Sequence, residues 1–429
     1  MKKEKMALRQ RKGKASEKEA NKVSKLSDDD DRRKKRKKDK PVDKRYKKKI
    51  TGRQAFLFLL TVLCLTGAIL YYYYTKYGPA MFLGTNYKDY NIEPYQWRKY
   101  LDNDDKSILL IGGPHRSGTT IVWKAITSHP EVVGFGDRFA TGADFSEGVL
   151  FQDLYPAFGV GLEFRTNFAG AGIKKVKGQD VVTDASQGGL GQYALLPESY
   201  VHWTKENHKG KLDDPTSLSM LMNRFAPHWD QNKKYGGEGG LKKAKVWVEK
   251  SPQNAVLSLF LEGVYNMPIL EDGSIAQSSA ATKKTGTKFL YMTRHPIANV
   301  YATDIFIQQA MGGKRDFEVM LRNYIQLHKY MQMDAKELNS PVMWVKLEDF
   351  TENPSKMLKR IFSFLEVPSD EDIVRNVLEE VGQIKSNPNS KYVSQWCEGG
   401  AETHKDLITK YNDEIISLDL GYDMTSICL

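Results

Sequence analysis

The chain has 429 residues, with 64 Lys and Arg against 53 Asp and Glu and a formal net charge of +11. Residues 1–49 alone hold 23 basic and nine acidic side chains, a net of +14, which leaves residues 50–429 at about −3. The basic character therefore belongs to the tail, and the remainder has no charge excess suited to nucleic acid.

The tail contains DRRKKRKKDK at residues 31–40 and almost no aromatic or β-branched residues. It buries too little apolar surface to offset its chain entropy, so disorder is expected. Such a run is either a solvated segment or a nuclear-import or nucleic-acid patch. The next segment decides against nucleic acid. Residues 55–74, AFLFLLTVLCLTGAILYYYY, carry no charge over twenty positions, the length a helix needs to cross a bilayer. The segment starts too late and runs too long for a cleaved signal. The four tyrosines Tyr71 to Tyr74 fit an interfacial aromatic belt. A buried core helix is the competing reading. By the positive-inside rule the N-terminus is cytosolic and the C-terminal part lies across the membrane, a type II arrangement. Many Golgi-resident modifying enzymes share this layout, so a Golgi membrane location with a lumenal catalytic part is expected. Cys64 lies in the span; Cys397 and Cys428 lie beyond it, where a disulfide is permitted but not established by spacing.

The expected organisation is a basic tail at 1–54, a transmembrane helix at 55–74, a stalk at 75–106 broken by Gly78, Pro79 and Pro94, and one lumenal domain at 107–429. The domain opens on SILLIGG at 107–113, an apolar run ending in glycines, followed by the helical pattern TTIVWKAITSH. Three more strand-then-helix pairs follow. KVWVEKSP at 245–252 precedes NAVLSLFLEGVY, KFLYMTRHP at 288–296 precedes IANVYATDIFIQQA, and VMWVKLEDF at 342–350 precedes PSKMLKRIFSFLEV. Four apolar strands each running into an amphipathic helix predict an α/β fold, a P-loop-like parallel sheet with helices on both faces. Residues 266–287 are rich in Ser, Thr and Gly and read as a surface insertion. Residues 138–240 show little periodicity and are expected to shape an acceptor site.

GGPHRSGTT, residues 112–120, has the spacing of a nucleotide-binding phosphate loop. In a G-x-x-x-x-G-K-[ST] loop the amides and the helix start hold phosphates while the lysine reaches the β- and γ-phosphates. Gly113, Gly118 and Thr120 keep that spacing, but Thr119 stands at the lysine position and Arg116 supplies a cation two residues before Gly118. Such a loop suits a nucleotide with a single 5′-phosphate bearing something other than a phosphate chain.

At these residues the chain resembles the sulfotransferases that use 3′-phosphoadenosine-5′-phosphosulfate, whose 5′-phosphosulfate loop reads R/K-S-G-T-T after an apolar strand. TRHPIANVYAT, containing Arg294, resembles that family's 3′-phosphate segment. WVKLEDFTENP with FSFLEVP resembles its Y-E-D-L region, and LDLGYD at 418–423 its L-G-Y ending. The closest register is with the membrane-anchored tyrosylprotein sulfotransferases, where a loop R-S-G-T-T is followed by H-P-E-V and G-E-E, and where N-K-D-P carries a lysine. SHPEVVGFGD at 128–137 puts Asp137 on their catalytic base, and EKSP puts Lys250 on their transition-state lysine.

The resemblance implies sulfuryl transfer to a hydroxyl of a secretory-pathway glycan, glycolipid or protein tyrosine. Asp137 is then the base. Lys250 and Arg116, with the loop amides, stabilise the leaving oxygen. Arg116, Ser117, Gly118, Thr119 and Thr120 hold the 5′ end of the donor, and Arg294 binds its 3′-phosphate. No metal is required, because the donor has no β,γ-bridge to neutralise, and a homodimer stays open. Each residue also has a plainer reading: a turn or cap for Asp137, an exposed turn cation for Lys250, an ion pair for Arg294. His115 rivals Asp137 as base. The sequence departs from the family where Ala302 stands eight residues after Arg294 in place of serine. Thr303 is the substitute considered. Lys385, Ser386, Ser390 and Lys391 are candidates for the late nucleotide loop, with Lys391 preferred. A P-loop kinase or NTPase and a non-catalytic membrane-anchored nucleotide-binding protein are the alternative functions.

Overall fold

The computed structural model describes residues 61, 90–102, 105–135, 202, 204, 206, 209–237, 239–276, 286–305 and 316–428, together with the backbone of 173–176, 179–182 and 306–311. The chain divides into two compact units, Met1–Tyr73 and Tyr74–Leu429, and the strands and helices from Pro94 onward belong to the second. The expected membrane span at 55–74 lies outside the described residues apart from Thr61. Among the described residues no helix is long and apolar enough to cross a membrane.

The described part begins with α1 (Pro94–Leu101), β1 (Ser107–Gly112), α2 (Thr119–Thr127), β2 (Val132–Val133) and a short antiparallel pair, β3 (Ile173–Val176) and β4 (Gln179–Val182). It continues through α3 (Thr216–Asp230), β5 (Val246–Lys250), α4 (Asn254–Tyr265), β6 (Gly286–Thr293), α5 (Pro296–Met311), α6 (Phe317–Glu337) and β7 (Val342–Lys346). The last part is helical: α7 (Leu347–Glu352), α8 (Pro354–Leu365), α9 (Glu371–Val381), α10 (Ser390–Gln395) and α11 (Lys405–Ser417). Five parallel strands form the main sheet in the order β2-β5-β1-β6-β7. The four strands read from the sequence are all present. Val132–Val133, too short to give a periodic signal, adds the edge.

Alternation along the strands divides the core into two layers, as a sheet covered on both faces requires. Ile108, Leu110, Trp247, Phe289 and Tyr291 point to one side and pack with α3 and α4. Leu109, Ile111, Val248, Leu290 and Val345 point to the other and pack with α2, α8 and α9. A third cluster joins Ile297 and Val300 of α5 to Tyr324 of α6 and to Tyr411, Leu418 and Tyr422 of the C-terminal part. That part is stapled by a disulfide between Cys397 and Cys428.

The insertion expected at 266–287 is shorter at its C-terminal end, because Gly286 and Thr287 already belong to β6 and pair with Ser107 and Ile108. Thr287 is buried despite its polarity, which is why composition places it in a loop. Asn232 and Lys234 brace the chain after α2. Asn232 Nδ2 donates to the Gly134 carbonyl at 2.6 Å, and Lys234 Nζ donates to the carbonyls of Thr127 and Val132 at 2.8 and 2.9 Å. A lysine against the exposed carbonyls of a helix end is favourable.

Candidate functional site

The site grows from the C-terminal edge of the sheet, where β1 passes into α2. Gly113 and Gly118 both adopt positive φ, 147° and 92°. A Cβ on Gly113 would fall 2.4 Å from the Met292 carbonyl oxygen, and one on Gly118 would fall 2.5 Å from Leu347 Cδ1. Gly118 is the residue before α2, in the left-handed region that glycine occupies without penalty. Arg116 also has a left-handed backbone, φ 66°, without that freedom.

Three consecutive carbonyls of this loop are tied down. Pro114 O accepts from the Ser117 amide at 3.1 Å. His115 O accepts from Asn299 Nδ2 at 2.8 Å. Arg116 O accepts from Arg294 Nη1, also at 2.8 Å. The negative ends of these peptide dipoles are thus occupied, while the first amides of α2 have no intrahelical acceptor by the geometry of a helix start. Among the described residues no side chain caps them. A helix start of this kind favours an anion. Ser117 is fully buried and its Oγ has no hydrogen-bond partner among the described residues.

Facing the loop is a cavity of about 450 Å³. Its lining includes Arg116, Gly118, Thr119, Thr120, Lys124 and Arg294, with Gln383, Ile384, Lys385 and Pro388 on the far wall. Arg294, at the end of β6, is 5% exposed. Its Nε donates to Asn389 Oδ1 at 2.8 Å and its Nη2 to the Pro388 carbonyl at 3.0 Å. The guanidinium also lies 4.9 Å from the centre of the Tyr392 ring. Burial lowers its pKa, as does the nearby charge of Arg116, while Tyr392 and Glu348 act in the opposite sense. Two mutually repelling guanidinium groups on one wall are relieved by an anion between them.

The sequence candidates thus separate. Arg116, Gly118, Thr119, Thr120 and Arg294 share the cavity wall, and Ser117 lies buried in the same loop. Lys250, at the end of β5 beside β1, is 1% exposed, and its charge reaches His115. Burial, then Lys250 and Arg116, push His115 down to about 3. An imidazole that weakly basic is a poor proton acceptor at neutral pH. Thr303 does not line the main cavity; it faces a much smaller one with Pro114, His115 and Asn299. Lys391 is exposed on α10 and is not part of the lining, where Lys385 stands instead. Asp137 lies outside the described residues.

The chain is similar in structure to several sulfotransferases. One is the sulfotransferase domain from the Synechococcus PCC 7002 olefin synthase, at 16% identity over 72% of this chain and 92% of that one, with a TM-score of 0.33. Another is the sulfotransferase domain from the curacin biosynthetic pathway, at 13% identity over 67% and 86%, TM-score 0.33. A third is sulfotransferase STF9 from Mycobacterium avium, at 12% identity over 66% and 71%, TM-score 0.32. No family model and no curated protein matches the chain.

Four further residues of the site are not among the candidates singled out from the sequence, although Asn299 and Glu348 lie within the segments quoted there. Lys124, one helical turn beyond Thr120, lines the cavity and donates to the Val381 carbonyl at 2.9 Å. Asn299 holds the His115 carbonyl. Glu348 accepts from the His295 amide at 2.9 Å and the Tyr422 hydroxyl at 2.9 Å. Asn389 bonds both Arg294 and Glu348. The Asn-Pro-Asn turn at 387–389 is the one available hint of an ordered wall there.

Proposed function

We propose that the protein is a sulfotransferase that takes a sulfuryl group from 3′-phosphoadenosine-5′-phosphosulfate and transfers it to a hydroxyl. The observation that carries this is the loop itself. It has an anion cradle at the start of α2, a threonine where a triphosphate-binding loop needs lysine, and the cations Arg116 and Arg294 on the cavity wall. The residues fit the donor chemically. The helix start and the Ser117 hydroxyl, which has no partner among the described residues, suit its 5′ end, and the buried guanidinium of Arg294 suits a second phosphate. The cavity is of nucleotide size.

In the proposed reaction the acceptor hydroxyl oxygen forms a bond to sulfur as the bond from sulfur to the 5′-phosphate oxygen breaks, leaving adenosine 3′,5′-bisphosphate. Arg116, Lys250 and the loop amides stabilise the charge that grows on the leaving oxygen. Asp137 takes the hydroxyl proton, a role His115 is too weakly basic to fill at neutral pH. Fixed binding of both substrates supplies proximity. A type II membrane anchor at 55–74, a lumenal Golgi location and a glycan, glycolipid or tyrosine acceptor belong to the same proposal, resting on the charge asymmetry and the uncharged segment.

The test is calorimetry on the full chain in detergent with adenosine 3′,5′-bisphosphate and with Mg-ATP, followed by turnover of labelled donor on a panel of glycans, glycolipids and tyrosine peptides. Bisphosphate binding without Mg-ATP binding is expected, with turnover on at least one acceptor. Asp137→Ala keeps the binding and loses the turnover. Uptake of Mg-ATP with no response to bisphosphate points to a kinase or NTPase and ends the proposal. Donor binding without turnover on any acceptor points to a non-catalytic nucleotide-binding protein.

A further inference from the structure

Arg294 is a buried cation whose guanidinium donates to neutral oxygens: the carbonyls of Arg116 and Pro388 and the side-chain amide of Asn389. Among the described residues, the acid of this network, Glu348, is linked to the guanidinium through Asn389. The Asn389 Oδ1 accepts from Arg294 Nε at 2.8 Å, and its Nδ2 donates to Glu348 Oε1. The other Glu348 oxygen accepts from the Tyr422 hydroxyl, and the His295 amide donates to Oε1 as well. Asn389 is 8% exposed, so this relay is shielded from water.

A carboxylate at position 389 would form a direct ion pair with Arg294 and leave little charge for anything else. An amide there holds the same geometry with no charge. Glu348 meanwhile accepts from three donors, one of them the Asn389 amide nitrogen, which fixes the amide with its oxygen toward the arginine. A buried guanidinium held this way, on a cavity wall beside Arg116, is unfavourable until an anion arrives.

We infer that Asn389 is a positioning residue of the nucleotide site. It aims Arg294 into the cavity and holds it out of a direct ion pair with Glu348, so that its charge remains available to the phosphate remote from the transferred group. This rests on the donor reading of the cavity. Electrostatic changes two side chains away from the ligand then alter recognition of one phosphate and not the other.

The test measures Kd on the full chain in detergent, with adenosine 3′,5′-bisphosphate and adenosine 5′-phosphate as probes and Tm as the control for folding. Wild type binds the bisphosphate at least tenfold more tightly than the monophosphate. Asn389→Asp, almost the same shape, weakens the bisphosphate at least tenfold and the monophosphate less than twofold. Glu348→Gln has the opposite sign and tightens the bisphosphate, which a merely structural role for the relay does not produce. Should Asn389→Asp fail to fold, Asn389→Ser serves: loss of the Nε acceptor weakens the bisphosphate at least threefold with the monophosphate unchanged. Equal losses on both nucleotides, no loss in either Asn389 variant, or weakening by Glu348→Gln overturns the inference while leaving the donor site intact. A wild type indifferent to the bisphosphate overturns the donor reading and this inference with it.

Discussion

Arg294 Nη1 donates to the backbone carbonyl of Arg116 across 2.8 Å, tying the end of β6 to the loop that follows β1. One side chain thereby sets both the shape of the anion cradle and the charge beside it. Replacing it with lysine keeps the charge but removes the planar fork that reaches Arg116, Asn389 and Pro388 together. Arg294→Lys is expected to lower stability by about 1–3 kcal/mol, at roughly 1 kcal/mol per net hydrogen bond. It should also weaken adenosine 3′,5′-bisphosphate more than tenfold. Chemical denaturation and calorimetry on the same preparation read the two effects.

Arg116 separates stability from binding. Its left-handed backbone costs about 1–2 kcal/mol for a residue with a Cβ, and glycine offsets only part of that gain through its greater chain entropy, about 0.5–1 kcal/mol. Arg116→Gly should therefore melt at or slightly above the wild-type temperature while losing at least tenfold in bisphosphate affinity. A variant that lost both together would mean that the side chain serves folding.

Gly118 has neither the conformational nor the spatial room for a side chain. With φ at 92° and Leu347 Cδ1 2.5 Å from the Cβ position, Gly118→Ala combines backbone strain with overpacking. The expected cost is at least about 2 kcal/mol, with loss of nucleotide binding. Adding Leu347→Ala should recover binding in part, because only the steric component is relieved. A thermal shift assay with and without nucleotide is sufficient to see this.

His328 predicts an acid limit to stability. It is buried, its Nδ1 donating to the Tyr324 carbonyl at 2.7 Å and its Nε2 accepting from the Thr293 hydroxyl at 3.0 Å. Burial pushes it down to about 4, against about 6.5 for the unfolded chain. Between those values the unfolded state binds the proton and the folded state does not. Its contribution is therefore intact above pH 6.5 and is lost as pH falls towards 4, by up to about 3 kcal/mol. His115 acts in the same direction. Denaturation midpoints from pH 8 to pH 4 should fall steeply in the wild type and less steeply in His328→Gln.

The Cys397–Cys428 bond closes a loop of 31 residues that carries α11 and Tyr422, and Tyr422 bonds Glu348. Chain-entropy reasoning puts its loss at about 3–4 kcal/mol. Cys397→Ser with Cys428→Ser should lower the melting temperature and weaken the bisphosphate as the support of Glu348 loosens. Dithiothreitol treatment of the wild type should reproduce both effects and leave the double variant unchanged.

What the sequence determined by itself were the four strands read from Ser107, Lys245, Lys288 and Val342 and the phosphate loop after the first of them. Those signals are local: apolar runs of strand length, helical spacing immediately after, and glycines where a turn into a helix needs them. The two-residue strand Val132–Val133 leaves no such trace, because its pairing with β5 is supplied from more than a hundred residues away. Only tertiary structure decided which polar residues meet. Counting eight residues from Arg294 lands on Ala302, with Thr303 beside it as the substitute, yet Thr303 faces a different cavity. The sequence favours Lys391 over Lys385, yet Lys385 lines the site while Lys391 is exposed on α10. The relay from Arg294 through Asn389 to Glu348 and Tyr422 spans 128 positions and involves four unrelated stretches. No periodicity encodes such a relay, since its geometry exists only once the C-terminal helices close over the end of the sheet.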